Sequence, residues 1–394
     1  MQTVVLAAGS GTRMRPLTET QPKPTLPVAG RPLIGHALSG AAAAGASRFI
    51  IVVNPHTSAV EEAIGETVDG VPVEYVTQTE QRGTADAVAA ALDALDPEPF
   101  VVLNGDSLYD EASLAKLYAS TPAVGSFRVD NPSSYGVLTV TDGRVTDVVE
   151  KPTDPESNLI NAGGYALPTE VQQWLDVPES ERGELEFTDV LLRVCETFDV
   201  TPVSFDRWLD VGRPWDLLAA NEWKTPEVEP TIEGTVDDDA TLSGNVHVAP
   251  GATVRSGVVI DGPAYIDTGA TVGPNAYIRG TTYVGPDAKV GHAVEVKNSV
   301  LMAGATVGHL SYVGDSILGC DTNLGAGTKI ANLRHDGQPV QLTVKGERVS
   351  TGRRKFGVVL GAGAKTGINT SLNAGLTLSP GAATTPGEVV TRDR

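Results

Sequence analysis

Along the first 225 residues, short apolar runs alternate with segments of helical periodicity. Thr3–Leu6, Phe49–Val53, Val73–Val76 and Phe100–Leu103 predict buried strands, and Leu33–Ala44, Ser58–Ile64 and Thr84–Leu95 predict helices between them. Alternation of this kind predicts an α/β unit whose sheet is mainly parallel, with helices on both faces. Residues 135–140 and 144–149 flank Thr141-Asp142-Gly143, a hairpin signal.

The second half follows a different rule. Val236, Leu242, Val248, Val254, Ile260, Ile266, Val272, Ile278, Val284, Val290, Val296 and Met302 fall at an unbroken six-residue spacing. A helix repeats near 3.6 residues and a strand at 2, so neither sustains such a ladder. Small residues such as Ala252, Ala264, Ala270, Ala276 and Ala288 sit two positions before the rung, and Gly, Pro and Asp fill the corners. This is the hexapeptide signature of a parallel β-helix, in which three hexapeptides make one triangular coil. The expected organisation is a domain over 1–225, a Pro-bearing linker at 226–231, and a β-helix over 232–394 with a charged insertion at about 333–357. A bare coil stack leaves strand edges and flat flanks, which predicts a homotrimer or higher homo-oligomer.

Composition narrows the class. At 394 residues the chain exceeds what one core serves, so two domains are expected. A net charge of −20 argues against nucleic-acid binding, which rests on Lys and Arg. Such an acidic surface suits either concentrated salt or an ordinary acidic cytosolic protein. Cys195 and Cys320 lie far apart without metal spacing, no signal peptide precedes the first strand, and no uncharged apolar run reaches membrane-spanning length. A cytoplasmic location and no membrane partner are expected.

Candidate chemistry begins directly after the first strand, in Leu6-Ala-Ala-Gly9-Ser-Gly11-Thr12-Arg13-Met-Arg15-Pro. A glycine turn between strand and helix lets backbone N–H groups approach phosphate oxygens. Met14 replaces the third glycine of a dinucleotide fingerprint, and no Gly-Lys-Ser/Thr completes a Walker loop. Lys23, bracketed by Pro22 and Pro24, is held on a stiff backbone, wasteful for a solvated charge. Asp106 and Asp210 each close a short strand, and paired strand-end aspartates suit a Mg²⁺ that also takes phosphate oxygens.

At these residues the first 225 positions resemble the sugar-1-phosphate nucleotidylyltransferases, whose opening signature is a Gly-x-Gly-Thr-Arg loop followed by a proline-flanked lysine. The resemblance implies a Rossmann-like nucleotidyltransferase domain and catalytic roles for Arg13 and Lys23. It implies that Leu6, Ala8, Gly9, Gly11, Thr12 and Arg13 hold a nucleoside triphosphate, UTP or dTTP, with Lys23 on its phosphates. Gln78, Gly83 and Thr84 would read the base, Gly136, Glu150, Lys151 and Asn161 the sugar-1-phosphate, and Asp106 with Asp210 would hold Mg²⁺.

The ladder changes phase after Met302, and there lies Gly308-His309-Leu-Ser-Tyr312-Val-Gly-Asp315. Arg279 and Lys297 are eighteen residues apart, one coil, so they are expected on one face as a phosphate clamp or an unusual like-charge pair. With Asn323 and Asn332 these residues resemble the acetyltransferase half of the bifunctional N-acetylglucosamine-1-phosphate uridylyltransferase/glucosamine-1-phosphate acetyltransferase family, which implies a left-handed β-helix. The resemblance implies His309 as general base for a sugar amine attacking acetyl-CoA. Arg279 and Lys297 would hold the sugar phosphate, with Tyr312, Asn323 and Asn332 completing the substrate site. The chain departs from the bacterial pattern after Asn332, where Lys345, Arg353, Arg354 and Lys355 lie in an insertion like that of archaeal relatives. Acetyl-CoA phosphates are the partners expected for those cations. The expected activity is therefore bifunctional: N-acetylation of glucosamine-1-phosphate, then Mg²⁺-dependent uridylyl transfer. The alternatives are a glucose-1-phosphate thymidylyltransferase with a structural β-helix and a non-catalytic regulatory relative.

Overall fold

The computed structural model describes residues 1–55 and 58–394. Helices α1 (Leu33–Ala43), α2 (Ala59–Ile64), α3 (Thr84–Ala89), α4 (Glu111–Tyr118) and α5 (Phe187–Thr197) precede α6 (Pro214–Lys224), after which only strands and turns follow. Two compact units form: Met1–Ser10 with Pro32–Asp210, and Gly11–Arg31 with Val211–Arg394. By its contacts Gly11–Arg31 groups with the second unit, although it lies early in the chain.

The first unit is built on a ten-stranded sheet. Its parallel centre runs in the order Phe100–Asn104, Gln2–Leu6, Arg48–Val53, Val71–Thr77. Both faces of this centre are covered, which is why its strands read as continuous apolar runs. Val4, Ile50 and Val102 pack with Ala85 and Val88 of α3 and Leu191 of α5, while Val5, Ile51 and Leu103 pack with Leu38 of α1 and Leu114 of α4. Beside Phe100–Asn104 lies an antiparallel arm of Leu159–Leu167, Ala123–Arg128 and the hairpin Gly136–Thr141/Arg144–Glu150. Two expectations change. Val71–Thr77 alternates between half-buried and exposed, because only the two-residue strand Thr67–Val68 lies beyond it. The helix expected over 84–95 stops at Ala89, and Leu92–Ala94 is a tighter turn in which the Leu95 N–H is shared by the Ala91 and Leu92 carbonyls.

The second unit contains the left-handed parallel β-helix, with three faces of 7, 8 and 7 strands. Its core is a column of rung residues, among them Val254, Ile260, Ile266, Val272, Ile278, Val290 and Val296. Early coils are eighteen residues long, since Ile260 pairs with Ile278 and Ile266 with Val284. The slip comes one rung earlier than expected: Val284 pairs with Leu301, a seventeen-residue step, so Leu301 and not Met302 enters the core. Dropping one corner residue shifts the next rungs by one, so Val296 pairs with Val313, and a second seventeen-residue step from Leu301 to Leu318 shifts them again. Leu318 then pairs with Leu360, because residues between are extruded as the antiparallel hairpin Gln341–Val344/Glu347–Ser350.

Gly11–Arg31 belongs to this unit through specific contacts. The Ala29 N–H donates to Asn221 Oδ1 of α6 at 3.0 Å, and Asn221 Nδ2 donates to the Pro27 carbonyl at 3.3 Å. Gln21 Nε2 donates to Met302 Sδ at 3.5 Å, and the Cys320 thiol to Gln21 Oε1 at 3.6 Å. Gly30, at φ 80°, leaves room for the Tyr265 ring, which a Cβ would meet at 2.4 Å. Among the described residues no helix is long and apolar enough to cross a membrane.

Two residues test this architecture. Ile278 is fully buried in the rung column, so Ile278→Ala is expected to cost about 2–5 kcal/mol and lower the melting temperature of the β-helix transition in calorimetry. Asp110 caps α4 by accepting from the Ser113 N–H at 2.9 Å, and its other oxygen accepts from the Arg207 N–H at 3.1 Å. Burial pushes the Asp110 carboxyl up, but hydrogen bonds from Ser113 and from the Arg207 and Asp206 backbone outweigh it and hold it below the ordinary 3.8. A depressed folded-state value means the cap stabilises fully above the ordinary value and is lost as pH falls through the lower folded one. Asp110→Ala is expected to cost about 1 kcal/mol at neutral pH. In urea titrations from pH 7 to 2, the gap from wild type should close only at the acid end.

Candidate active sites

In the first unit the parallel register brings two strand ends level. Leu6 pairs with Asn104, so Ala7-Ala8-Gly9 and Gly105-Asp106 emerge side by side. The Gly105 N–H donates to the Leu6 carbonyl at 2.9 Å, and a Cβ there would lie 2.8 Å from that oxygen, so this approach needs glycine. A cavity of about 260 Å³ opens at these ends, lined by Leu6, Ala8, Gly9, Gln78, Gly83, Thr84 and Asp106 together with Gln81, Ala87, Asn104 and Glu184.

The wall opposite the loop is cross-braced. Gln78 is buried and donates through Nε2 to Asp86 Oδ2 at 2.8 Å and to the Gly83 carbonyl at 3.2 Å. Gly83 has φ 139°, and a Cβ would lie 2.3 Å from the Leu185 carbonyl oxygen. Gln81 Nε2 donates to the Ala8 carbonyl at 2.6 Å, tying this wall to the glycine loop. Sequence reasoning missed Gln81 and Asn104. Gln81 stands three residues from Gln78 in the same Gly83-Thr84 segment, and Asn104 directly precedes Gly105-Asp106, which are the signals that pointed to them.

Asp106 and Asp210 are brought together by a two-stranded ladder in which Asp210 opposes Ser107. Asp110 locks that ladder, since its N–H donates to the Arg207 carbonyl at 3.2 Å while its carboxylate accepts the Arg207 N–H. Both carboxylates are half-buried, and they form an oxygen-only donor set. Among the described residues no cluster of three or more acidic, His or Cys side chains could hold a metal. Two carboxylates fit Mg²⁺, which keeps several waters and completes its shell with substrate phosphates.

A second polar cluster lies on the antiparallel arm. Gly136 pairs with Glu150, and a Cβ on Gly136 would meet Glu150 Oε2 at 3.0 Å and Asn161 Cβ at 3.5 Å. Lys151 Nζ lies 2.9 Å from Glu150 Oε1, and Asn161 Nδ2 donates to the Tyr165 hydroxyl at 2.7 Å. The four expected sugar-phosphate residues are therefore neighbours.

In the second unit Gly11, at φ 60°, opens a short turn over Thr12–Met14, and its Cβ position is 3.1 Å from Lys23 Cβ and from Thr18 Cγ2. Lys23 is 6 % exposed and opens another turn, Lys23–Thr25, fastened by the Thr25 hydroxyl donating to the Pro22 carbonyl at 2.8 Å. Lys23 is thus buried beside Pro22 and Pro24. Arg13 is exposed.

On the β-helix, Arg279 and Lys297 do stack, each pairing with the other across one coil. Neither cation is bare. Arg279 Nη2 lies 2.7 Å from Glu295 Oε1, and Lys297 Nζ lies 2.8 Å from Asp315 Oδ2. Asp315 is buried and also accepts from Asn298 Nδ2 at 3.0 Å and Asn332 Nδ2 at 2.5 Å. Asn332 Nδ2 also donates to the Tyr312 hydroxyl at 3.2 Å, in space that a Cβ on Gly314 would occupy. Burial, then the Asp315 charge, pushes the Tyr312 hydroxyl above its ordinary value, so it stays protonated at neutral pH. Asp315 is thus the hub that joins Lys297, Tyr312 and Asn332, a role that sequence reasoning missed although the residue ends the His309 motif. His309 ends the strand Thr306–His309 on the adjacent face, is exposed, and precedes the corner leading to Tyr312. Asn323 pairs with Thr306 on that adjacent face and does not join the Asp315 cluster. In the insertion, Arg353 is paired with Glu222 of α6.

These features have counterparts in known proteins. The nucleotidyl transferase family matches residues 2–226, and the GMPPB C-terminal domain matches 260–361. A "Bifunctional protein GlmU" of Methanococcus vannielii is 39 % identical, covering 95 % of this chain and 91 % of the relative. A "Bifunctional sugar-1-phosphate nucleotidylyltransferase/acetyltransferase" of Sulfurisphaera tokodaii is 37 % identical, covering 100 % and 98 %. A solved Bacillus anthracis structure, described as a glucose-1-phosphate thymidylyltransferase with sucrose, aligns at TM-score 0.52 and 26 % identity, covering 56 % of this chain and 94 % of that one. With a nucleotidyl transferase domain over more than half its length and relatives matched nearly end to end, the chain belongs to the GlmU-type family of bifunctional sugar-1-phosphate nucleotidylyltransferase/acetyltransferases.

Proposed function

We propose that this enzyme N-acetylates glucosamine-1-phosphate with acetyl-CoA and couples the product to UTP, releasing pyrophosphate. The observation that carries the bifunctional reading is the polar cluster around Asp315 on the β-helix, where Lys297, Asn332 and Tyr312 meet beside the His309 corner. A purely structural coil stack has no use for a buried carboxylate with three donors, since burying charge is costly unless it is paired.

In the acetyl transfer, the sugar amine nitrogen attacks the thioester carbonyl, the C–S bond breaks, and CoA leaves as the thiol. His309 takes the amine proton as the C–N bond forms and passes it to the departing sulfur. Asp315 positions Lys297 and Asn332 toward the substrate, and the Arg279–Lys297 stack takes the sugar phosphate. Glu295 and Asp315 keep their hold on the two cations, whose remaining N–H donors meet the phosphate oxygens.

In the nucleotidyl transfer, an oxygen of the sugar phosphate attacks the α-phosphorus, the α–β bridging bond breaks, and pyrophosphate leaves. Two polyanions must be held together, so positioning and cationic residues supply most of the rate. Gly9 and Gly11 allow backbone approach to the triphosphate, Arg13 and Lys23 meet its charge, and Gln78, Gly83 and Thr84 form the base wall. Gly136, Glu150, Lys151 and Asn161 hold the sugar phosphate. Asp106 and Asp210 would hold Mg²⁺, which when bound supplies neutralisation of phosphate charge. We further infer a cytoplasmic homotrimer, in which copies cover the flat β-helix flanks.

A glucose-1-phosphate thymidylyltransferase with an inert β-helix is the second reading, favoured by the fold likeness to the Bacillus anthracis structure. The two separate on thiol release. His309→Ala should abolish CoA release from acetyl-CoA and glucosamine-1-phosphate, by about 10²-fold or more, while sparing pyrophosphate release with N-acetylglucosamine-1-phosphate. A wild-type enzyme that releases no CoA would sink the acetyltransferase half. Asp106→Ala should cut Mg²⁺-dependent pyrophosphate release by about 10²-fold or more and leave CoA release intact; undiminished pyrophosphate release would remove Asp106 from the metal site.

A further inference from the structure

Corners of three successive coils stack along one edge of the β-helix at Gly280, Asn298 and Asp315. The Asn298 N–H donates to the Arg279 carbonyl at 3.0 Å, and the Asp315 N–H to the Lys297 carbonyl at 2.8 Å. All three corner residues are left-handed, at φ 61°, 46° and 51°. Glycine, asparagine and aspartate are the residues that tolerate this conformation. Gly280 shows that glycine suffices for the turn itself. The side chains of Asn298 and Asp315 therefore have another use.

Asn298 joins two carboxylates. Its Nδ2 donates to Asp315 Oδ1 at 3.0 Å and to Glu222 Oε1 of α6 at 2.8 Å. Two anions on one amide nitrogen repel each other, and the pair is stable only where each has a cation of its own. Lys297 Nζ supplies one, 2.9 Å and 2.8 Å from the two Asp315 oxygens. Arg353, near the end of the insertion, supplies the other: its Nη1 donates to Glu222 Oε2 at 3.1 Å and its Nη2 to Glu222 Oε1. Just beyond Arg353 the chain rejoins the coils, where the Phe356 N–H donates to the Asn332 carbonyl at 3.0 Å and the Gly357 N–H to the Asp315 carbonyl at 2.8 Å. A continuous polar chain thus runs from Arg353 through Glu222, Asn298 and Asp315 to Lys297, all within the second unit.

We propose that Asn298, Glu222 and Arg353 are positioning residues for the sugar phosphate of acetyl transfer, acting through Asp315 on Lys297. The identity of the substrate rests on the function proposed above. Asn298 holds one Asp315 oxygen and Asn332 the other, so the plane of that carboxylate is fixed. A fixed carboxylate fixes the ammonium it pairs with, and the ordering entropy of a long lysine is met before substrate arrives. Lys297 is thereby kept one coil from Arg279, where both cations can meet one phosphate. Arg353 takes a different part from the acetyl-CoA contact expected of its basic segment, since both its terminal nitrogens hold Glu222.

Steady-state CoA release by the full-length enzyme at varied glucosamine-1-phosphate tests the chain. Asn298→Gly keeps the left-handed corner that Gly280 provides one coil away, so the coil is preserved. It should raise KM for glucosamine-1-phosphate about three- to tenfold, with kcat and KM for acetyl-CoA within about twofold of wild type. Asn298→Asp keeps the shape but sets a third carboxylate between two others, and should raise the same KM about tenfold or more. Glu222→Ala should resemble Asn298→Gly, whereas Glu222→Gln still accepts from Asn298 and should retain most of the affinity. Unchanged KM for glucosamine-1-phosphate in both Asn298 variants would overturn the proposal. An equal rise in both KM values with a lower melting temperature would also overturn it, since a loosened coil has no selective hold on the phosphate. Isothermal titration of glucosamine-1-phosphate separates this inference from the reading beneath it. If the wild type binds it and Asn298→Gly weakens binding, but no CoA is released, the positioning chain stands and the acetyl transfer falls. A wild type that does not bind glucosamine-1-phosphate overturns both.

Discussion

Parallel stacking of coils is the constraint on which the second half of this protein depends. Each strand must pair in register with the strand one coil away, so a residue's neighbour on the face is set by coil length alone. Eighteen residues place Lys297 beside Arg279. Seventeen then place Gly314, not a side chain, beside Lys297. That glycine opens the space in which Tyr312 and Asn332 meet. A change of one residue in coil length thus separates a plain scaffold from a built polar site.

The same logic governs the first unit with a different geometry. Parallel strands of equal register end at the same level, and their C-terminal ends gather the loops. Leu6 and Asn104 are partners, so the glycine loop and Asp106 open into one cavity. The antiparallel pairing of Ser107 with Asp210 brings in a carboxylate from about a hundred residues away. Asp110 holds that pairing through both its backbone and its side chain, which makes a helix cap part of the support for the candidate metal site.

Charge is distributed economically across the site on the β-helix. Like-charged Arg279 and Lys297 are tolerated one above the other because Glu295 and Asp315 each neutralise one of them. Asp315 is 2 % exposed and its partners satisfy it, so it orients donors without exposing a free anion to a phosphate-bearing substrate.

Much of this was legible in the residues. Periodicity alone determined the β-helix, because one inward aliphatic side chain per hexapeptide is a packing requirement that no other period satisfies. The alternating apolar runs determined the parallel centre of the first sheet, and the short motifs marked Gly9, Gly83, Asp106, Asp210, Lys297 and His309. What sequence left out was whatever depends on partners distant along the chain. Glu295 and Asp315 neutralise the cationic stack because coils bring them there, and Leu301 replaces Met302 in the core because pairing, not spacing, defines the rung. Gly11–Arg31 joins the β-helix unit because Asn221, Met302 and Cys320 bind its backbone and Gln21. Spacing along a chain records local geometry; only the folded backbone decides which distant side chains share a face, and so which charges meet.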